Sequence, residues 1–204
     1  MMKEKFKAIL SKYVPENSVG YCVDLWDQHR FSFKVSRERR SKLGDYQFHK
    51  ARRQHIITIN GSLNRYGFLI TFIHEAAHMI HFELRGNNHR PHGIFWKKVF
   101  RELMNPLLNQ DIFPHDLLEQ LKIHMKNPKA SSYSDPALAR LIKKYDPDRS
   151  YSEFFLEELT AGEKFRFHGR TYEKVESRRT RCLCREVNSG KKYLISEMAM
   201  VRKL

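Results

Sequence analysis

The strongest periodic pattern in the chain runs from about Tyr66 to Leu84. Ile70, Ile73, Ala77, Ile80 and Leu84 recur at steps of three and four, and Phe72, Ala76 and Met79 form a second stripe beside them. Two adjacent stripes predict a helix buried over most of its circumference, with Gly86-Asn87-Asn88 as its stop. Shorter helical patterns flank it. Residues 3–13 align Phe6, Ile9, Leu10 and Tyr13 ahead of Pro15, and Ser18 stands as a cap before Val19, Cys22, Val23 and Trp26. Gly93–Leu108 turns Phe95, Val99, Phe100 and Leu103 inward, and Pro114–Met125 predicts another short helix. Alternation marks strands at Phe31, Phe33 and Val35, and at His55–Asn60, which ends on the breaker Asn60-Gly61.

Beyond residue 125 the pattern changes. Pro128, Ser131, Ser132, Ser134, Pro136, Pro147 and Ser150 read as a connecting stretch with a helical turn or two near Leu138–Tyr145. From Gly162 the chain reads as all-β, with Asn188-Ser189-Gly190-Lys191 as a hairpin turn before Tyr193-Leu194-Ile195. The predicted fold is α+β: a main domain over 1–125, a linker with a short helix over 126–161, and a small basic β module over 162–204. In the main domain the long helix packs on a small sheet.

That helix carries His74-Glu75-Ala76-Ala77-His78, an H-E-x-x-H sequence. Residues four apart lie one turn apart on one helix face, so both imidazoles can reach a single Zn²⁺. The Glu beside the first His then projects close enough to accept a proton from a water on that metal. A catalytic zinc needs a third protein ligand and an open position. His81 is seven residues from His74, roughly 10 Å along the axis, and Glu83 falls off the face. His92 is the favoured third ligand, because Gly93 permits a tight approach and Ile94-Phe95-Trp96 would anchor it; His89 is the alternative.

Charge adds a second theme. Among the 204 residues the formal net charge is +15, which attracts polyanions, with nucleic acid first among them. Arg37–Arg53 holds seven basic residues against Glu38 and Asp45, a net +5, and residues 162–204 hold a net +7. The first run is read either as phosphate contact beside a cleft or as a solvated face. The strand Gln54–Asn60 is read either as a sheet edge able to pair with an extended substrate or as an inner strand. No run approaches 18 apolar residues, and the N-terminus lacks the apolar core of a signal peptide, so a cytoplasmic protein without a membrane partner is expected. Cys22, Cys182 and Cys184 form no disulfide framework; on a strand, Cys182 and Cys184 share a face and read as core.

His74-Glu75-Ala76-Ala77-His78 followed by His92-Gly93-Ile94-Phe95-Trp96-Lys97 resembles the SprT-like, Spartan-related metallopeptidases. Lys42-Leu43-Gly44-Asp45-Tyr46 and Ile57-Thr58-Ile59-Asn60 are similar to that family's strand region, so the resemblance spans about residues 5–125. It implies a zincin-like core, Zn²⁺ on His74, His78 and His92, and Glu75 as general base. It also implies a peptidase whose substrates are proteins held on, or crosslinked to, DNA. The chain departs from the family in one respect: the four-cysteine zinc ribbon common after this domain is replaced by a unit offering only Cys182 and Cys184. A different class of function is a non-enzymatic nucleic-acid-binding protein with a structural zinc, which would need a fourth protein ligand from His81 or His89.

Overall fold

A computed structural model describes residues 2–37, 42–86, 90–146 and 153–204. The chain divides into two units, residues 1–147 and 148–204. The architecture is mixed α+β, with six helices and two sheets among the described residues. No described helix is long and apolar enough to cross a membrane.

The first unit begins with helices α1 (Met2–Tyr13) and α2 (Val19–His29). Their shared apolar face is sealed by Phe6, which stacks on Trp26 at 4.8 Å and meets Phe33 edge-on at 5.3 Å. Ser18 precedes α2 as expected, but it does not cap it through its side chain. A 3₁₀ turn, Glu16–Ser18, runs directly into α2, so Ser18 is already helical and its hydroxyl donates to the Pro15 carbonyl at 2.6 Å.

Three strands follow: β1 (Ser32–Ser36), β2 (Gly44–His49) and β3 (Gln54–Asn60), in the order β1-β3-β2. Of the two readings of Gln54–Asn60, the inner strand is the one observed. β3 pairs in parallel with β1 and antiparallel with β2, and Ile57 and Ile59 are fully buried. The edges are β1 and β2, and β2, which borders α3, falls where hydropathy indicates only a basic stretch with a turn at Leu43-Gly44-Asp45. Only Tyr46 and Phe48 of β2 pack against Phe82, and two aromatic residues amid charge leave a weak periodic signal. Arg39 and Arg40 of that basic stretch lie outside the described residues.

Helix α3 (Arg65–Arg85) lies against β2 and β3. Asn64 caps it, accepting from the N–H groups of Tyr66 (3.1 Å) and Gly67 (2.9 Å). The Asn64 amide also donates to the Ile142 carbonyl at 2.7 Å, which ties the start of α3 to α6. Helices α4 (Ile94–Met104), α5 (His115–Lys126) and α6 (Pro136–Lys144) complete the unit. In α4 the inward face holds Trp96, Val99, Phe100 and Met104, a clean run of three- and four-residue steps. Phe95, expected inside, is one position out of that phase; it is 49% exposed with the Arg85 guanidinium 4.0 Å above its ring. Leu138 and Ile142 of α6 are fully buried in the core of this unit. Residues 126–146, polar in composition, are thus held by the few apolar positions that α6 presents on one face.

The second unit is a six-stranded sheet in the order β4-β9-β5-β6-β7-β8. Its strands are β4 (Glu153–Phe155), β5 (Lys164–Phe167), β6 (Arg170–Ser177), β7 (Arg181–Glu186), β8 (Lys192–Ser196) and β9 (Met200–Lys203). Cys182 and Cys184 are free thiols with no exposure, packed with Phe165, Tyr172 and Ile195. Lys174, only 2% exposed, donates its ammonium to the carbonyls of Leu156 (3.0 Å), Glu157 (3.2 Å) and Leu159 (2.5 Å). Its three N–H bonds are all satisfied, which offsets the cost of burying the charge.

Candidate metal centre

Between Gly67 and Met79, helix α3 is buried at every position except His74 and His78. The two histidines therefore mark the one strip of that helix left open, and the third imidazole comes from the turn before α4. His92 adopts a left-handed backbone conformation (φ +60), a strained choice for a residue with a side chain and one concentrated at functional positions. Gly93 makes that turn possible. Its N–H donates to the Arg90 carbonyl at 3.1 Å, and a Cβ at Gly93 would come within 3.0 Å of that oxygen.

The three side chains converge. Nε2 of His78 lies 3.1 Å from Nε2 of His74 and 2.9 Å from that of His92, and the third separation is 3.2 Å. Nitrogens at 2.0–2.1 Å from a tetrahedral zinc would be roughly 3.3 Å apart, so this triangle fits one ion with small adjustments. Burial, reinforced by the neighbouring imidazoles, lowers the His74 pKa to about 2 and the His78 pKa to about 3. His92 is lowered too, burial first and then Lys97. All three are thus held neutral, the form that ligates metal. No other His, Cys, Asp or Glu among the described residues joins the cluster, which could hold a metal ion. His81 is buried but apart from it. His89 lies outside the described residues.

Trp96 forms the floor of the centre. Its fully buried ring lies 4.6 Å from His74, 5.1 Å from His78 and 4.7 Å from His92, and it stacks on Phe100. Its indole N–H is the one buried side-chain polar atom without a partner among the described residues. In the sequence Trp96 reads only as an anchor for His92; its contact with all three rings follows from the α3–α4 crossing.

Glu75 is 7% exposed. Burial raises its pKa to about 8, and Asp45 adds to the effect, while the Tyr46 N–H and Lys42 act in the opposite direction. Space for its carboxylate is provided by Gly44 on β2. A Cβ there would sit 2.7 Å from Glu75 Oε1 and 2.7 Å from Thr71 Cγ2. Glu75, the three histidines, Lys42–Tyr46 of the β2 edge and Ala130–Ser132 line one cleft of about 460 Å³. The 130–132 wall carried no signal in the sequence beyond its small residues. Tyr46 lines the cleft, with its hydroxyl 2.9 Å from His55 Nδ1.

Neither the curated proteins nor the solved structures compared with this chain gave a match. The family model described as the SprT-like family matches residues 4–125, the stretch that contains the helix, the edge strand and all three histidines. With more than half of its length matched, the chain belongs to the SprT-like family.

Proposed function

We propose that the protein is a zinc-dependent endopeptidase of zincin-like core, with His74, His78 and His92 as the metal ligands and Glu75 as general base. The observation that carries this reading is a cluster of three neutral imidazoles without a fourth protein ligand among the described residues, beside a buried carboxylate in an open cleft. Three ligands leave a position for water or substrate, as catalytic zinc sites require, whereas structural sites are closed by four. Bound there, zinc lowers the pKa of water and polarises a carbonyl. Glu75 takes the proton of the attacking water and passes it to the leaving amine.

The free edge of β2 supports an extended peptide as substrate. β2 has one strand partner, β3, among the described residues, so its outer side borders the cleft where a strand could be added beyond the Tyr46 N–H that Glu75 engages. The substrate class we propose, proteins held on DNA, rests on the family and on the net charge of +15.

The test is metal content with hydrolysis of an unstructured protein. Wild type should carry about one zinc per chain and cleave; Glu75→Gln should keep the zinc and lose cleavage; His92→Ala should lose both. Full activity in Glu75→Gln refutes the assigned base. A zinc with four protein ligands by X-ray absorption, without cleavage by wild type, would replace this reading with a structural zinc in a nucleic-acid-binding protein.

A further inference from the structure

We propose that Ala130, Ser131 and Ser132 are the specificity wall of the cleft, shaped to take a large uncharged side chain of an extended peptide beside the scissile bond. The proposal rests on the peptidase reading above and adds to it the class of side chain that the substrate presents.

The cleft has two walls over one floor. His74, Glu75 and His78 of α3 form the floor, Lys42–Tyr46 of β2 one wall and Ala130–Ser132 the other. A peptide paired with the outer side of β2 lies one strand spacing from it, about 4.8 Å, and every second side chain turns toward α3. Gly44 shows the direction, since a Cβ there would point at Glu75. A substrate side chain turned that way has β2 on one side and Ala130–Ser132 on the other. None of those three residues extends beyond a hydroxyl, so the space between the walls is left to the substrate. At about 460 Å³ the cleft has the size of an ordinary ligand site, large enough for a bulky side chain as well as the backbone that carries it.

The lining selects against charge. Burial holds the three imidazoles neutral. Asp45 is engaged by Lys42 at 2.7 Å and by Gln47 at 2.5 Å. An acidic side chain would be repelled by Asp45 and Glu75, and a basic one that paired with Glu75 would take the base out of the reaction. An uncharged side chain meets neither cost.

The second wall is fixed in place before a substrate arrives. His124, 3% exposed, places Nδ1 2.8 Å from Asp135 Oδ2 and so closes the segment that carries the wall. Lys97 and Arg101 of α4, the helix that follows His92, donate to Asn127 Oδ1 at 2.6 Å and to the Lys126 carbonyl at 3.3 Å. Within the segment Pro128 is buried, the Ser131 hydroxyl accepts from the Tyr133 N–H at 3.2 Å, and the Ser134 hydroxyl donates to the Ser131 carbonyl at 2.6 Å. A wall held this way filters by size, because its own ordering cost has been met before binding. A segment that only joined α5 to α6 would need neither the clasp nor a place on the cleft. The wall also lies beyond residues 4–125, so its side chains are a feature of this chain outside the stretch that the family model matches.

The experiment is digestion of an unstructured protein by the zinc-loaded full chain, with mass spectrometry of the products. Wild type should cut beside large uncharged residues. Ala130 is exposed, so Ala130→Phe adds bulk to the cleft rather than to the core. It should lower kcat/KM at those sites at least tenfold more than at sites flanked by glycine, alanine or serine. Ala130→Leu, a smaller addition, should shift the preference the same way to a lesser degree. Equal losses at both kinds of site, or an unchanged preference, would overturn the proposal. A second readout does not need hydrolysis: anisotropy of a labelled peptide with phenylalanine at its centre, and of its glycine counterpart, on zinc-loaded Glu75→Gln. The phenylalanine peptide should bind at least tenfold tighter, and Glu75→Gln/Ala130→Phe should erase the difference. Equal binding of the two peptides to Glu75→Gln would overturn the wall even if wild type cleaves. A zinc-loaded wild type that cleaves nothing while the peptide preference holds would overturn the peptidase and leave the wall standing.

Discussion

Gly44→Ala tests the proposed machinery without replacing a ligand or the base. Gly44 lies on β2 with its Cα facing α3, and a methyl group there would meet Glu75 Oε1 at 2.7 Å, Thr71 Cγ2 at 2.7 Å and Glu75 Cγ at 2.8 Å. Ordinary contact begins at 3.4 Å, so these atoms must retreat by about 0.7 Å. Thr71 has little freedom, because its hydroxyl is bound to the Gly67 carbonyl at 2.7 Å and the residue is 4% exposed. The adjustment therefore falls on the Glu75 side chain. Overpacking of this kind costs about 1–3 kcal/mol of stability, and a displacement approaching 1 Å of a catalytic group costs on the order of 100-fold in rate. The expected phenotype is a folded protein with unchanged zinc content whose kcat falls about 10- to 100-fold. Zinc per chain and steady-state cleavage on one preparation provide the check. A Gly44→Ala protein with wild-type kcat and zinc would mean that the carboxylate does not act from its position against β2, and the assigned base would fall.

Two further outcomes follow from buried charge. In the metal-free protein, His74 and His78 are lowered from 6.5 to about 2 and 3, so the unfolded chain binds more protons below pH 6.5 and their stabilisation is lost as pH falls. Glu75, raised from 4.5 to about 8, has the opposite sign and destabilises as pH rises from 4.5 through 8. The sum is a stability maximum near pH 6.5, with a decline below it of about 1.4 kcal/mol per pH unit, two histidines less one glutamate; His92 steepens it. Urea unfolding of apo protein across pH 4.5–8 measures this. In Glu75→Gln the alkaline decline should vanish and the acid slope roughly double, and identical profiles for the two proteins would refute the assignment. Lys174→Met should strip three carbonyls of their shared donor and destabilise the C-terminal unit by about 3 kcal/mol or more, while zinc binding is retained. A calorimetric scan that leaves every transition in place would show that the ammonium is dispensable.

Much of the candidate metal centre is legible in the sequence because its geometry is local. His74 and His78 share a face through the helical repeat alone, and the double stripe of Ile70, Phe72, Ile73, Ala76 and Ala77 announces that the surrounding helix is buried. His92 and Gly93 are legible as a candidate for a similar reason: a turn followed by an aromatic helix start restricts where the imidazole can go. The edge strand β2 is legible only through the family resemblance of Lys42–Tyr46, not through periodicity. Gly44-Asp45-Tyr46-Gln47-Phe48-His49 buries only two aromatics on one side, and surrounding charge masks so short a pattern. That β3 is the inner strand and β2 an edge depends on strand order, which no local propensity encodes. The absence of Cβ at Gly44, the contact of Trp96 with all three imidazoles, and the burial of α6 under the cap of α3 are likewise decided between segments far apart in the chain. The sequence by itself determined which side chains could hold a metal and supply a base. Tertiary packing decided which strand borders them, how the carboxylate is held and where the cleft opens, because those depend on distances between elements rather than on the period within one.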